Sequence, residues 1–539
     1  MKKILFMLLG IILLQGCKKD FLDTKPRDSY SNATIWGSQG DAVAALNGVY
    51  NGWESGGNII YRDCMSDNAY NQFPWEGYEK FASGVATSAD PGVDAYDYGT
   101  IQRANWFLDN IDKVPSSSLD DPLKNRMKGE ARFIRAYSYF ILSQYYGNVP
   151  FADHAVTTEE ANAALQTPKD KIVDFILKEL AEIAPLLPVS YDTEIGRITR
   201  GAALALKART ELYEGKFPDC ISTCRQLMTS PFNYSIYPSF ENLFRPQYVD
   251  ASGNKEVILT VQNLINNNAE WSLVAMAPNS QGGWSSIAPT QALVDAYETI
   301  NGKTIDQEDS AYDPKQPYKN RDPRLDQGII RPGLLWMGKY FDPYTKGGLD
   351  LKGGNNASPT GYNFKKYIAN VGDYKNTSYG TNINNTGGSF IVIRYAEVLL
   401  TYAEAKIEAN QIDASVYDAI NRVRRRESVR MPEVTPAQYP DPISLRALVR
   451  RERRVELCGE GLRWFDIKRW KISPIVMNAE DWGSPNGTVN PTTGEFTWLP
   501  RGSNEKAVVI RKFADKNYLL PIPYQQLTIN RNLVQNPGY

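Results

Sequence analysis

Histidine is almost missing from this chain: His154 is the one histidine among 539 residues. A zinc site built on two or three histidines is therefore excluded. A Ser-His-Asp or Cys-His relay would have to use His154 itself. That residue lies in Pro150-Phe151-Ala152-Asp153-His154, with no nucleophile nearby in sequence, and reads as a solvated loop residue. Cysteine is scarce as well: Cys17, Cys64, Cys220, Cys224 and Cys458 contain no CxxC pair and make no disulfide framework. Cys220 and Cys224, one helical turn apart, read as small buried hydrophobes. An excess of either charge is also lacking. With 60 basic and 61 acidic residues the net charge is −1, which leaves no basic field for nucleic acid. There is no P-loop and no GxGxxG after a strand. No residue pattern here selects a cofactor or a metal site.

The longest apolar run is short and sits at the start. Lys2 and Lys3 precede Ile4 to Leu14, which is too short for a bilayer span of ~20 residues. It suits a cleaved signal peptide over residues 1–16, because Leu14-Gln15-Gly16-Cys17 is a lipoprotein cleavage pattern. Cys17 is then the lipidation site, and residues 17–40 form the anchor and an extended tether. About 520 residues would remain, enough for a large core. They are expected to make one domain over 41–539, with an N-terminal part at about 41–300 and a C-terminal part at about 301–539.

Helical periodicity dominates. The spacing predicts helices over about 41–53, capped by Asp41, then 96–114 and 122–146, the last stopped by Gly147 and Pro150. Two helical hairpins follow, over 199–228 with a turn at 214–218 and over 392–426 with a turn at 409–411. Small residues line both: Ala202, Ala205 and Ala208 in one, Ala396, Ala403 and Ala405 in the other. This is similar to tetratricopeptide repeats, with about four helix pairs and large insertions. Short strands are expected at 256–262 and 391–394. Residues 340–390, rich in Gly, Asn and Ser, read as a long surface loop. The fold class is mainly α, a helical scaffold carrying a loop-rich binding face.

Several motifs then fall in one order. Asp20-Phe21-Leu22-Asp23 follows Cys17; Asp322-Pro323-Arg324-Leu325 and Arg394-Tyr395-Ala396-Glu397 lie inside the chain. Arg450 to Leu457 leads into Glu460-Gly461-Leu462-Arg463-Trp464-Phe465-Asp466-Ile467-Lys468-Arg469-Trp470, and Gln535-Asn536-Pro537-Gly538-Tyr539 ends the chain. Collinear over nearly its whole length, the sequence resembles the SusD/RagB lipoproteins. The resemblance implies a SusD-like fold and an outer-membrane, lipid-anchored lipoprotein exposed at the cell surface. It further implies a lid on a SusC-like TonB-dependent transporter that captures an oligosaccharide, without catalysis.

Within the charged motif, Glu452 and Glu456 stand one helical turn apart among arginines. Adjacent guanidinium groups hold carboxylates ionised, which suits structural ion pairs rather than a general acid. The candidate ligand contacts lie elsewhere. Residues 67–78 pack Asp67, Asn68, Asn71, Trp75 and Tyr78 into twelve positions, where family members often place ligand contacts. Trp75 or Tyr78 would stack on a pyranose face, and Asp67 and Asn71 would bond hydroxyls. Trp284, after Gln281-Gly282-Gly283, is a second candidate and Trp336 a third. A peptide could use the same groove through backbone pairing and charge, and the residues leave that alternative open. A glycoside hydrolase would need two carboxyls set across a cleft, and no sequence feature selects such a pair.

Overall fold

A computed structural model describes residues 36–503 and 505–539. The expected leader, the expected lipidation site Cys17 and most of the expected tether lie outside the described residues. The chain is mainly helical, and the helices that build the scaffold are α1 (Gln39–Tyr50), α2 (Gly99–Asn110), α3 (Asp121–Tyr146), α4 (Lys169–Ile183), α5 (Arg200–Tyr213), α6 (Phe217–Leu227), α7 (Tyr395–Glu408), α8 (Ala414–Arg424) and α9 (Pro442–Glu456). Each packs on the one before it through α8, and α9 lies against α7. Taken two at a time they make four pairs, matching the expected number of about four, with α5–α6 and α7–α8 the two hairpins expected by position. Alanines make the close approaches: Ala202, Ala205 and Ala208 of α5 and Ala396, Ala403 and Ala405 of α7 are buried. Asp120 caps α3 by accepting from Leu123 N at 2.8 Å, and Thr199 caps α5. The two expected strands pair with each other: β2 (Val257–Val261) runs antiparallel to β4 (Phe390–Arg394). The free thiols Cys64, Cys220, Cys224 and Cys458 are buried. No described helix is long and apolar enough to cross a membrane.

Three expectations need correction. Ser38, not Asp41, caps α1: its hydroxyl accepts from Asp41 N at 3.2 Å, so the helix starts at Gln39. The tether does not extend to residue 40, because Trp36 is buried against Trp106 and Phe107, with ring centroids 5.1 and 6.1 Å apart. Nor is 340–390 surface throughout. Tyr362, Phe364, Tyr367, Ile368, Val371 and Tyr374 are buried, and Tyr367 stacks on Phe390 of β4 at 4.3 Å. Irregular backbone here covers the core with rings, and hydrogen bonds such as Tyr374 Oη to Tyr367 O at 3.0 Å hold it.

The charged motif is interior. Glu456 accepts from Arg394 at 2.8 Å, Arg426 at 2.6 Å and Arg324 at 3.1 Å. Glu452 accepts from Arg324 at 3.0 Å and from Arg424. All of these side chains are buried. Burial opposes ionisation of Glu456, and the guanidiniums of Arg426, Arg394 and Arg324 outweigh it, holding the carboxyl well below the usual range. The two glutamates are thus structural, tying α9 to β4 and to the short helix that opens at Arg324. Gly459, at φ +72°, turns the chain after α9.

Candidate binding site

The loop 66–78 is positioned by a short ribbon and by arginines from far along the chain. Strand β1 (Ala69–Asn71) pairs antiparallel with β3 (Ile287–Pro289), and Gln72 N donates to Ser286 O at 2.9 Å. This brings the segment after β1 beside the segment before β3, which carries Trp284. Pro74 opens a single 3₁₀ turn over Pro74–Glu76. Gly77 closes it at φ +86°, where an added Cβ would lie 2.0 Å from Gly92 O; only glycine fits.

The polar residues of this loop face inward. Asp67 is 3% exposed and is clasped by Arg463 at 2.8 and 2.9 Å and by Arg454 at 2.9 Å. Burial disfavours its charge, but Arg454 and Arg463 outweigh that and hold the carboxyl well below the usual range. Asn68 is buried and accepts from Arg454 Nε at 2.9 Å. Asn71 is buried and donates to Glu76 and to Ser286 O at 3.3 Å. The expected hydroxyl bonds from Asp67 and Asn71 therefore give way to bracing. Arg454 and Arg463 belong to the C-terminal motif, so that motif anchors the loop. Trp336 is likewise buried, 6% exposed, with Nε1 donating to Ala369 O at 3.1 Å. It packs in the 329–370 region and presents no face to a ligand.

Among the rings of the loop, Trp75 faces outward while Tyr70, Phe73 and Tyr78 are half-buried. Trp75 is 78% exposed and stacks on Phe73 at 4.7 Å, with an interplanar angle of 17°. Glu76, next to it, accepts from Tyr61 Oη at 2.8 Å, which pins the turn from below. Burial and the Glu76 carboxylate push the Tyr61 phenol up, so it remains a donor. Tyr78 is half-buried and stacks on Tyr61 at 5.0 Å. Trp284 is 39% exposed.

Two adjoining clefts open nearby, one of them lined by Tyr78, whereas Trp75 and Trp284 line neither. One, of about 430 Å³, is lined by residues that include Trp53, Glu54, Arg62, Glu76, Tyr78 and Tyr145. The other, of about 560 Å³, shares Trp53 and Glu54 and adds Arg197, Gln262, Asn268 and Trp271. Trp271 is 49% exposed and lies 6.4 Å from Tyr61. Its loop is fixed by Glu270, which accepts from the backbone N–H of Trp271 at 2.9 Å, Ser272 at 2.8 Å and Gly57 at 3.3 Å. Glu54 is held in the floor by Arg62 at 2.7 Å and by Tyr137, and Arg62 Nε donates to Tyr145 Oη at 2.9 Å. Flat rings with amides and fixed carboxylates between them can stack on the apolar face of a polyhydroxylated ligand and bond its edges.

Trp271, Glu54 and Arg62 were not singled out from sequence. For Trp271 a signal existed: it ends Asn266-Asn267-Asn268-Ala269-Glu270-Trp271, a ring in an amide-rich loop like 67–78. Glu54 and Arg62 carried none, because their contact depends on tertiary packing. Among the described residues no cluster of ligand-type side chains is suited to a metal ion.

Comparison with known proteins agrees with this architecture. A family model described as "SusD family" matches residues 241–539. A second, described as "Starch-binding associating with outer membrane", matches residues 20–212. SusD-like protein P2 of Formosa agariphila is 25% identical, over 100% of this chain and 99% of that protein. The starch-binding protein SusD of Bacteroides thetaiotaomicron is 23% identical, over 81% of this chain and 76% of its own length. The crystal structure of a SusD-like carbohydrate binding protein from Bacteroides fragilis superposes with a TM-score of 0.80 at 32% identity, covering 93% of this chain and 100% of that one. With the family model spanning more than half of the sequence and the same fold throughout, the chain belongs to the SusD/RagB family.

Proposed function

We propose that this protein captures an oligosaccharide at the outer membrane and delivers it to a SusC-like TonB-dependent transporter. The observation that carries the reading is the pair of adjoining clefts lined by Tyr78 and Trp271, with hydrogen-bonding groups held between the rings and Trp75 exposed on the turn that carries Glu76. The carbohydrate-binding relative from Bacteroides fragilis supports the ligand class. Carboxylates outnumber cations in the lining: Glu54, Glu76, Asp94, Asp97 and Glu270 against Arg62 and Arg197. A neutral glycan is therefore favoured over a sulfated or uronic one. On this reading the protein binds without turning its ligand over, and the oxygens of Glu54 and Glu76 serve to hold neighbouring side chains.

Screening of residues 18–539 against neutral and anionic glycans tests this. At least one neutral series should bind with little dependence on salt, because stacking is not screened, and anionic polymers should bind at least about tenfold more weakly, a penalty of ~1.4 kcal/mol. Binding confined to anionic glycans, or to peptides, would overturn the reading. So would cleavage of a bound oligosaccharide that is lost when one cleft carboxylate is replaced.

The same proposal places a lipid on Cys17 and a barrel beneath the protein. Two or more acyl chains give stable anchoring where one does not. Pull-down in mild detergent should recover a large outer-membrane barrel. The Cys17→Ala protein should fold normally but leave the outer-membrane fraction in cells lacking that barrel. Retention of Cys17→Ala in that fraction would contradict the anchor.

A further inference from the structure

A third cleft, of about 350 Å³, is formed by residues 189–199, 231–234 and 249–260. It shares Ile195, Gly196, Arg197 and Thr260 with the cleft beside Trp271. The two therefore flank one loop, 194–197, which is held firmly. Arg126 donates to Glu194 at 2.7 Å, Arg197 donates to Asn47 Oδ1 at 3.0 Å, and the Arg197 guanidinium lies 5.1 Å over the Tyr50 ring. Ile195 is exposed on that loop.

The third cleft has its own platform. Phe232 and Tyr234 stack at 5.6 Å with an interplanar angle of 9°. Tyr234 is fixed because its hydroxyl abuts Gly201, where an added Cβ would lie 1.8 Å away. Phe232 is half-buried and lines the cleft on top of this support. Hydrogen-bonding groups surround it: Asp192, Asn233 and Ser252 are exposed, and Asp250 is held by Ser389 and, at 3.4 Å, by Thr260. A paired ring platform rimmed by amide, hydroxyl and carboxylate groups repeats the chemistry of the first two clefts.

We propose that this cleft is a distal subsite for the same oligosaccharide chain, with Phe232 stacking on a sugar unit beyond the 194–197 loop. The inference rests on the glycan reading above and deepens it: the ligand is an extended, neutral chain, and affinity rises with chain length because further units cross the loop into the third cleft. A short oligosaccharide fills the Tyr78 and Trp271 region alone.

Calorimetric titration with laminaritriose, laminariheptaose, maltotriose and maltoheptaose tests it. For the series that binds, the heptaose should bind the unaltered protein more tightly than the triose. Phe232→Ala should weaken the heptaose by about tenfold, the loss of one stacking ring, and leave the triose unchanged, which also shows that the variant is folded. Trp271→Ala should weaken both lengths. An unchanged heptaose-to-triose ratio in Phe232→Ala would overturn the subsite while leaving the Trp271 site standing. Failure of all four sugars to bind the unaltered protein would overturn the glycan reading for these glucans and the subsite with it.

Discussion

Replacing Glu456 by glutamine is expected to destabilise the protein by about 3–5 kcal/mol, the usual cost of removing one partner from a buried ion network. Glutamine keeps the shape but removes the charge shared by three guanidiniums, those of Arg394, Arg426 and Arg324. Their remaining carboxylates are already engaged: Glu256 by Arg394 and Arg426, Glu452 by Arg324 and Arg424, Glu460 by Arg394 and Lys366, and Asp322 by Arg324. The surplus positive charge stays in an interior that water does not reach. An exposed pair provides the contrast. Arg425 and Asp418 lie 3.2 Å apart with about half of each side chain in solvent, and Asp418→Asn should cost below about 1 kcal/mol. Urea unfolding followed by tryptophan emission separates the two. A midpoint for Glu456→Gln no lower than that of Asp418→Asn would mean that the network does not hold α9 to β4.

The scaffold was readable because its signals are local. The apolar stripe of α2, the Ala-rich faces of α5 and α7, and the Gly147 stop of α3 depend on residues within a few turns of one another. Local signals failed where a long-range contact decides. Trp36 looked like part of a polar tether, yet Trp106 and Phe107 bury it. Tyr367 and Tyr374 sat among Gly and Asn, yet they close the core over β4.

The candidate site shows the same division. Residue type identified the chemistry of 67–78, rings beside amides, but could not say which side chains turn inward. Asp67 and Asn68 are drawn in by Arg454 and Arg463, nearly 400 positions away, and no spacing within the loop announces that contact. Trp75 is turned out by Pro74, Gly77 and the Glu76–Tyr61 hydrogen bond. Trp336 shares a residue type with Trp75 but its indole N–H finds buried carbonyls, so it packs.

Removing the outward rings should abolish ligand capture while leaving the fold intact. Trp75, at 78% exposed, and Trp271, at 49%, contribute little to the core. A stacking ring at the centre of a binding face is worth on the order of 2 kcal/mol when truncated, about thirtyfold in Kd. Losing both should lower affinity by several hundredfold if the two act independently, roughly 4 kcal/mol. Trp336→Phe, a buried substitution, should cost stability and spare binding. The deciding measurement is calorimetric titration of the unaltered protein and the Trp75→Ala/Trp271→Ala protein with the neutral oligosaccharide that binds best. Loss of the binding signal in a double variant that melts normally is the expected result. Undiminished affinity in that variant would contradict the placement of the ligand on this face.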